Sequence, residues 1–122
     1  MNYKLKAHTQ KQCDKLLQEI VRKENPKCLL CHNECQVGHH FIRKSLSSYL
    51  RYRFENIIPL CNPCHFKHHM QEDPAFDIQI VDIMGREWFN KLEVDRRKYN
   101  KVNAEFYNKI YTELSVRLDS IL

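Results

Sequence analysis

The sequence predicts an α+β fold: a small hairpin-helix core stapled by structural zinc and flanked by helices at its N- and C-terminal sides. Three observations predict it. Two Cys pairs, Cys28/Cys31 and Cys61/Cys64, each enclose two residues and stand thirty positions apart, which is the spacing of a tetrahedral thiolate site. Between the pairs, two short stretches read as strands. Outside them, apolar residues recur at helical spacing.

Residues 9–24 read as a helix with Thr9 or Asp14 near its start, because Cys13, Leu16, Leu17, Ile20 and Val21 share one face. Asn25-Pro26 ends it, since the residue before a proline avoids the helical region. Cys28-Leu-Leu-Cys31 forms a first knuckle, with a turn over His32-Asn33. Glu34 to Ile42 is expected to be a strand with Val37, His39 and Phe41 on one face and Gly38, His40 and Ile42 on the other. Residues 43–55 form a basic, aromatic loop, and Ile57 to Leu60 returns as a second strand. A helix starts at Asn62-Pro63, with Asn as N-cap and Pro in the first turn. It carries His65, His68 and His69 and stops before Pro74. Phe76 to Met84 is a further helix ended by Gly85, and Arg86 to Leu92 another. Residues 93–102 read as a charged linker. Asn103 caps a last helix from Ala104, with Phe106, Ile110, Leu114, Leu118 and Ile121 in a stripe. The whole reads as a single domain over 1–122, with its core at 28–72 and helical flanks at 9–24 and 75–122.

At 122 residues and 43% hydrophobic content the chain can bury one modest core. Its 20 Lys/Arg against 15 Asp/Glu give a net charge of +5, which suits a nucleic-acid partner. Met1 to Gln10 is polar and lacks the apolar segment of a signal peptide. No apolar run approaches the roughly 18 residues that would cross a membrane. The expectation is therefore a cytoplasmic protein in a reducing compartment, where paired cysteines bind metal more often than they form disulfides. Cys28, Cys31, Cys61 and Cys64 are the expected structural Zn²⁺ ligands. Cys13 is expected as a small core residue. Cys35 is either a spare thiol or an alternative ligand to Cys31.

The histidines suggest a second metal. His65 and His69, four apart, share a helix face and can hold one ion together, with His39 as third ligand. Phosphodiester hydrolysis needs an activated water, charge stabilisation on a pentacovalent phosphate and a proton for the leaving oxygen. A divalent ion on His39, His65 and His69 would serve the last two needs. Mg²⁺ or Mn²⁺ is expected, with Ni²⁺ or Zn²⁺ as alternatives. His40, on the opposite strand face, would deprotonate the water, its unperturbed pKa of about 6.5 suiting it to that task. Asn56 would brace the loop or orient His40. Arg43, Lys44, Arg51 and Arg53, interleaved with Tyr49, Tyr52 and Phe54, read as DNA phosphate contacts, because guanidinium groups grip phosphate by paired hydrogen bonds. Arg43 and Arg51 are the foremost of these. The aromatic stripe Trp88, Phe89, Phe106, Tyr107 and Tyr111 reads as core or as a homodimer contact through the C-terminal helices.

The order His-His, fifteen residues, Asn, eight residues, His, three residues, His resembles the HNH (His-Me finger) nucleases. The text GHHFIRKS followed by ENIIPLCNPCH resembles their zinc-containing members. With the leading CLLC, the stretch LRYRFENI and the helical tail, it is similar to the phage NinG/Rap recombination nucleases over roughly residues 13–122. That resemblance implies a ββα-metal core in which the first His of the His39-His40 pair binds the catalytic metal and the second is the base. It also implies a metal-dependent DNA endonuclease, encoded by a phage and acting in the host cytoplasm, that nicks DNA or cuts branched recombination intermediates. A restriction- or packaging-type HNH nuclease on duplex DNA is the alternative enzyme. A zinc-stabilised DNA-binding module without catalysis is the alternative from another class; the presence of His40 argues against it.

Overall fold

A computed structural model describes residues 8–71 and 74–121, the side chains of 68–71 excepted. The fold is α+β, with a two-stranded hairpin followed by a short helix and helices packed on either side.

The first helix, α1 (Gln10–Glu24), starts at Thr9 and not at Asp14. Thr9 Oγ1 accepts from the Gln12 amide at 3.2 Å, and Gln12 Oε1 accepts from the Thr9 amide at 2.8 Å, so two of the donors a helix leaves unpaired are satisfied reciprocally. Asn25 closes the other end, its amide donating to Val21 O at 2.9 Å. The buried face is Cys13, Leu17, Ile20 and Val21. It packs on the last helix, α5 (Ala104–Ile121), through Leu114, Phe106, Ile110, Leu118 and Ile121. That apolar stripe is thus core between two helices. Asn103 caps α5, its Oδ1 accepting from the Phe106 amide at 2.9 Å.

Strand β1 (Val37–His40) pairs antiparallel with β2 (Ile57–Leu60), Val37 opposite Leu60 and His40 opposite Ile57. The expected strand over Glu34 to Ile42 is shorter than the sequence suggests, because other partners take the flanking amides. The Cys35 amide donates to Pro26 O at 2.9 Å, and the Ile42 amide to Asn56 Oδ1 at 2.8 Å. Gly38 sits where β1 crosses α1. A Cβ there would lie 2.7 Å from Ile57 Cγ2 and 3.1 Å from Val21 Cγ1, so only glycine lets strand and helix approach this closely. Gln18 of α1 completes the contact. Its Nε2 donates to Gly38 O at 2.9 Å and its Oε1 accepts from Gly38 N at 2.7 Å.

Helix α2 (Asn62–Gln71) follows β2 directly. Its first helical bond runs from the His65 amide to Cys61 O at 3.0 Å, so Cys61 and not Asn62 holds the capping position. The Asn62 amide is satisfied by Gln36 Oε1 at 2.8 Å. Helix α3 (Pro74–Met84) ends at Gly85, whose φ of 102° turns the chain into α4 (Arg86–Asp95). The expected linker at 93–102 is therefore helical over its first three residues. The cause is Asp95, buried and accepting from Lys91 at 3.1 Å and Lys98 at 3.0 Å. Trp88 of α4 meets the Phe41 ring edge-on at 5.0 Å and donates from Nε1 to Glu55 O at 2.8 Å. No helix among the described residues is long and apolar enough to cross a membrane.

Candidate functional site

Two clusters flank the hairpin. The first is the thiol group. Cys28 and Cys31 lie on a tight turn closed by a Cys28 amide bond to Asn33 O and a His32 amide bond to Cys28 O at 3.0 Å. The turn forces His32 to a φ of 66°. Cys61 directly follows β2 at the cap of α2, and Cys64 lies in the first turn of α2. The Leu29 amide donates to Pro59 O at 2.8 Å and the Gln36 amide to Leu60 O at 2.9 Å, which ties the turn to the strand leading into α2. The four sulfurs lie within 4.8 Å of one another, and the Cys31 and Cys61 sulfurs 3.4 Å apart. A tetrahedron with zinc–sulfur bonds of about 2.3 Å has edges of about 3.8 Å, so the set fits a structural metal ion.

Electrostatics agree with that assignment. Burial works against the Cys28 thiolate, yet backbone hydrogen bonds from Cys31, Cys61 and Leu30 bring its pKa down to about 6. Burial pushes Cys61 up, and burial with the neighbouring thiols pushes Cys64 up. Thiols packed this closely raise one another's cost of ionising, a cost that a bound cation offsets. Cys35 is buried outside the group, its sulfur 3.7 Å from Val37 O; Cys31 is the fourth thiol.

The second cluster uses both faces of β1. On one, the His39 ring lies 5.2 Å from His65 of α2 and 5.3 Å from Phe76 of α3, centroid to centroid. His69 stands one helical turn beyond His65, and its side chain lies outside the described residues. Of the expected ligand trio, His39 and His65 are brought together. On the other face, His40 Nε2 lies 2.9 Å from Arg51 O. A carbonyl can only accept, so Nε2 carries the proton and Nδ1 presents its lone pair in the neutral ring. Burial, helped by the charges of Lys44 and Arg51 and opposed by the Arg51 carbonyl and Asp14, lowers the His40 pKa to about 4. The ring is therefore neutral at pH 7, well below the ordinary value of about 6.5.

Asn56 is fully buried. Its Oδ1 accepts from the Ile42 amide at 2.8 Å, and its Nδ2 donates to Ile42 O at 3.0 Å and Leu50 O at 3.5 Å. It holds both ends of the 42–50 loop and makes no hydrogen bond to His40. Of its two expected roles the geometry matches bracing; His40 is oriented by the main chain of the loop that Asn56 pins.

The four cations diverge. Arg43 and Lys44 are exposed. Arg53, also exposed, lies over the Tyr49 ring at 4.3 Å. Arg51 differs from the expected phosphate contact: its Nη2 and Nε reach Asp14 Oδ2 and Oδ1 at 2.7 and 3.2 Å, with 16% of its side chain exposed. Its fork is already filled by a carboxylate of α1. The Tyr52 hydroxyl donates to the same Asp14 at 2.8 Å. Sequence reasoning named Asp14 only as a candidate helix start and Tyr52 only as an aromatic of the basic loop, and it left Gln18 unread; nothing in the string of letters pairs Asp14 with Arg51 and Tyr52.

No protein-family model matches the chain, and neither a curated protein nor a solved structure matches it. It is a small α+β domain with a ββα-type hairpin-helix motif and a four-cysteine group suited to a structural metal.

Proposed function

We propose that the chain is a metal-dependent DNA endonuclease of the HNH type, which hydrolyses phosphodiester bonds to nick DNA or cut branched recombination intermediates. The observation that carries this reading is the division of labour on β1. His39 turns to His65 of α2, while His40, one residue on, is locked on the other side of the strand by Arg51 O.

Cys28, Cys31, Cys61 and Cys64 would hold structural Zn²⁺, joining the 28–34 turn to the start of α2. His39 and His65, with His69, would hold a catalytic divalent ion. Imidazole donors suit Ni²⁺ or Zn²⁺ better than Mg²⁺ or Mn²⁺, which prefer oxygen, so Ni²⁺ or Zn²⁺ is the better fit to these donors. When bound, such an ion supplies Lewis-acid stabilisation of charge on the phosphate and the departing oxygen. The chain's own contribution is the proton transfer. His40 Nδ1, kept free by the Nε2–H bond to Arg51 O, accepts a proton from the attacking water. Desolvation keeps the ring neutral and ready, and a phosphate brought nearby raises its basicity through its negative charge. Asn56 keeps the loop in place so that the carbonyl meets the ring. Of the four loop cations, Arg43, Lys44 and Arg53 are the exposed ones and would meet the DNA backbone.

The test is a nicking assay on supercoiled plasmid with the zinc-loaded protein and Mn²⁺, Ni²⁺ or Mg²⁺, followed by matched linear, flapped, D-loop and four-way substrates. Nicked circles that vanish with EDTA and in His40→Ala are expected. DNA binding without cleavage of any substrate would establish the non-catalytic zinc-stabilised module instead.

A further inference from the structure

Beneath His40 lies a chain of contacts that reaches α1 and that phosphodiester cleavage does not by itself require. The ring hangs on Arg51 O. Arg51 is one residue past Leu50, whose carbonyl Asn56 reaches only at 3.5 Å, so Asn56 alone leaves the loosest bond nearest to His40. The Arg53 amide donates to Leu50 O at 3.1 Å and closes a turn over Arg51 and Tyr52, and what anchors that turn to α1 is the Arg51 side chain. The guanidinium is forked on both Asp14 oxygens, and the following residue, Tyr52, donates its hydroxyl to the same carboxylate. Asp14 thus accepts three hydrogen bonds from two consecutive residues. Both its partners are largely withdrawn from solvent, with Tyr52 buried. A bidentate guanidinium–carboxylate pair fixes orientation as well as distance.

We infer that Asp14 is a positioning residue for His40: by clamping Arg51 and Tyr52 it fixes the Arg51 carbonyl, and through it the tautomer and orientation of the imidazole. The inference rests on the reading of His40 as the base. The effect passes through a main-chain carbonyl, so the identity of residue 51 matters for its fork and not for contact with substrate. Arg51 accordingly belongs to the scaffold of the base and not to the DNA surface.

This assignment makes a prediction of opposite sign to a simple phosphate-contact role. Asp14→Ala releases the Arg51 guanidinium toward solvent and removes a negative charge, so the KM for DNA should stay level or fall. The kcat should drop about 10- to 100-fold, the usual cost of removing an outer partner that orients a reactive ligand. The control is Glu24→Gln, which breaks another ion pair of α1, that with Arg117 at 2.8 Å. It should leave kcat unchanged.

The spectroscopic readout is the nitrogen shifts of the His40 ring in uniformly ¹⁵N-labelled, zinc-loaded protein. Wild type should hold a single neutral tautomer with Nε2 protonated. Asp14→Ala should show both tautomers, and Tyr52→Phe, which deletes one of the three bonds to Asp14, should shift the balance in the same direction by less. If Asp14→Ala fails to fold, Tyr52→Phe and Asp14→Asn carry the same comparison. A His40 tautomer unchanged in the folded variants overturns the inference, whatever happens to kcat. If wild type cuts no DNA while the tautomer still responds to Asp14, the nuclease reading fails and the positioning of His40 by Asp14 stands.

Discussion

The two sides of the hairpin are built on different plans. The thiol group is assembled from side chains at short local spacing, two on one turn and two at a strand-to-helix junction, with four like atoms converging on a point. The His40 side is assembled through the main chain: a ring on a strand meets a carbonyl in a loop, the loop is tied by Asn56, and its end is forked on a helix 37 positions away in sequence. The difference teaches which kinds of site a sequence discloses. Side chains that must be cysteine advertise themselves. A carbonyl does not, because every residue carries one.

If the thiol side is held chiefly by its metal, it should fail as a unit. Cys61→Ser should lose both the ion and the folded state, since structural zinc contributes about 10–16 kcal/mol to the folding of small zinc domains. Cys35→Ala should keep one zinc per chain by elemental analysis. A Cys61→Ser protein with wild-type melting would erase the contrast between the two sides.

The His40 side should fail in rate and not in fold. His40→Ala should still bind DNA while cutting on the order of 10²–10⁴ more slowly. As the proposed base the ring would work only when neutral, and its folded pKa is lowered to about 4, so the wild-type kcat/KM should rise with pH through about 4. It should already be level by about pH 6, two units above that pKa. An ascending limb centred near the ordinary value of about 6.5 would mean that the ring is not desolvated as its burial against the loop requires.

A smaller effect sharpens the comparison within the basic loop. Arg43→Ala should lower the slope of log binding against log salt by about one, the signature of a lost phosphate contact. Arg51→Ala should leave that slope unchanged, because its charge is paired with Asp14. Equal slopes for both variants would return Arg51 to the DNA surface.

The smallest effect lies back on the thiol side. His32 holds a φ of 66°, a conformation that costs a side-chain-bearing residue about 1 kcal/mol or more. His32→Gly should raise stability by up to about that amount in thermal melts of the zinc-loaded protein. The same swap at Gly38, reversed to Ala, has no room and should destabilise.

What was legible followed the same division. The α+β class, the four thiols, the start of α1 at Thr9 as one of two candidates, the capping of α5 by Asn103, and the return strand 57–60 all rest on local chemistry: a cap is decided within three residues and a knuckle within four. The length of β1 was not legible, because its ends are set by Pro26 O and Asn56 Oδ1, far off in sequence. Residues 93–95 looked like the start of a linker because charged residues dominate 93–102, yet Asp95 is buried between two lysines three and four residues away. That the Arg51 fork meets Asp14 was not legible, because a free guanidinium and a forked one look alike in a string of letters.

The Gln18 amide at Gly38 has a further consequence. A two-stranded sheet ordinarily offers two rows of unpaired main-chain groups, each a template on which another polypeptide can add as a strand. Here Gln18 imitates one residue of such a strand, filling both the donor and the acceptor of Gly38. Across the hairpin, residue 59 is a proline with no amide to offer, and its carbonyl is taken by Leu29. The middle of the hairpin is thus sealed on both margins against edge-to-edge growth. Addition of another copy of this chain, or of an extended peptide, at the middle of the hairpin is opposed by one glutamine and one proline.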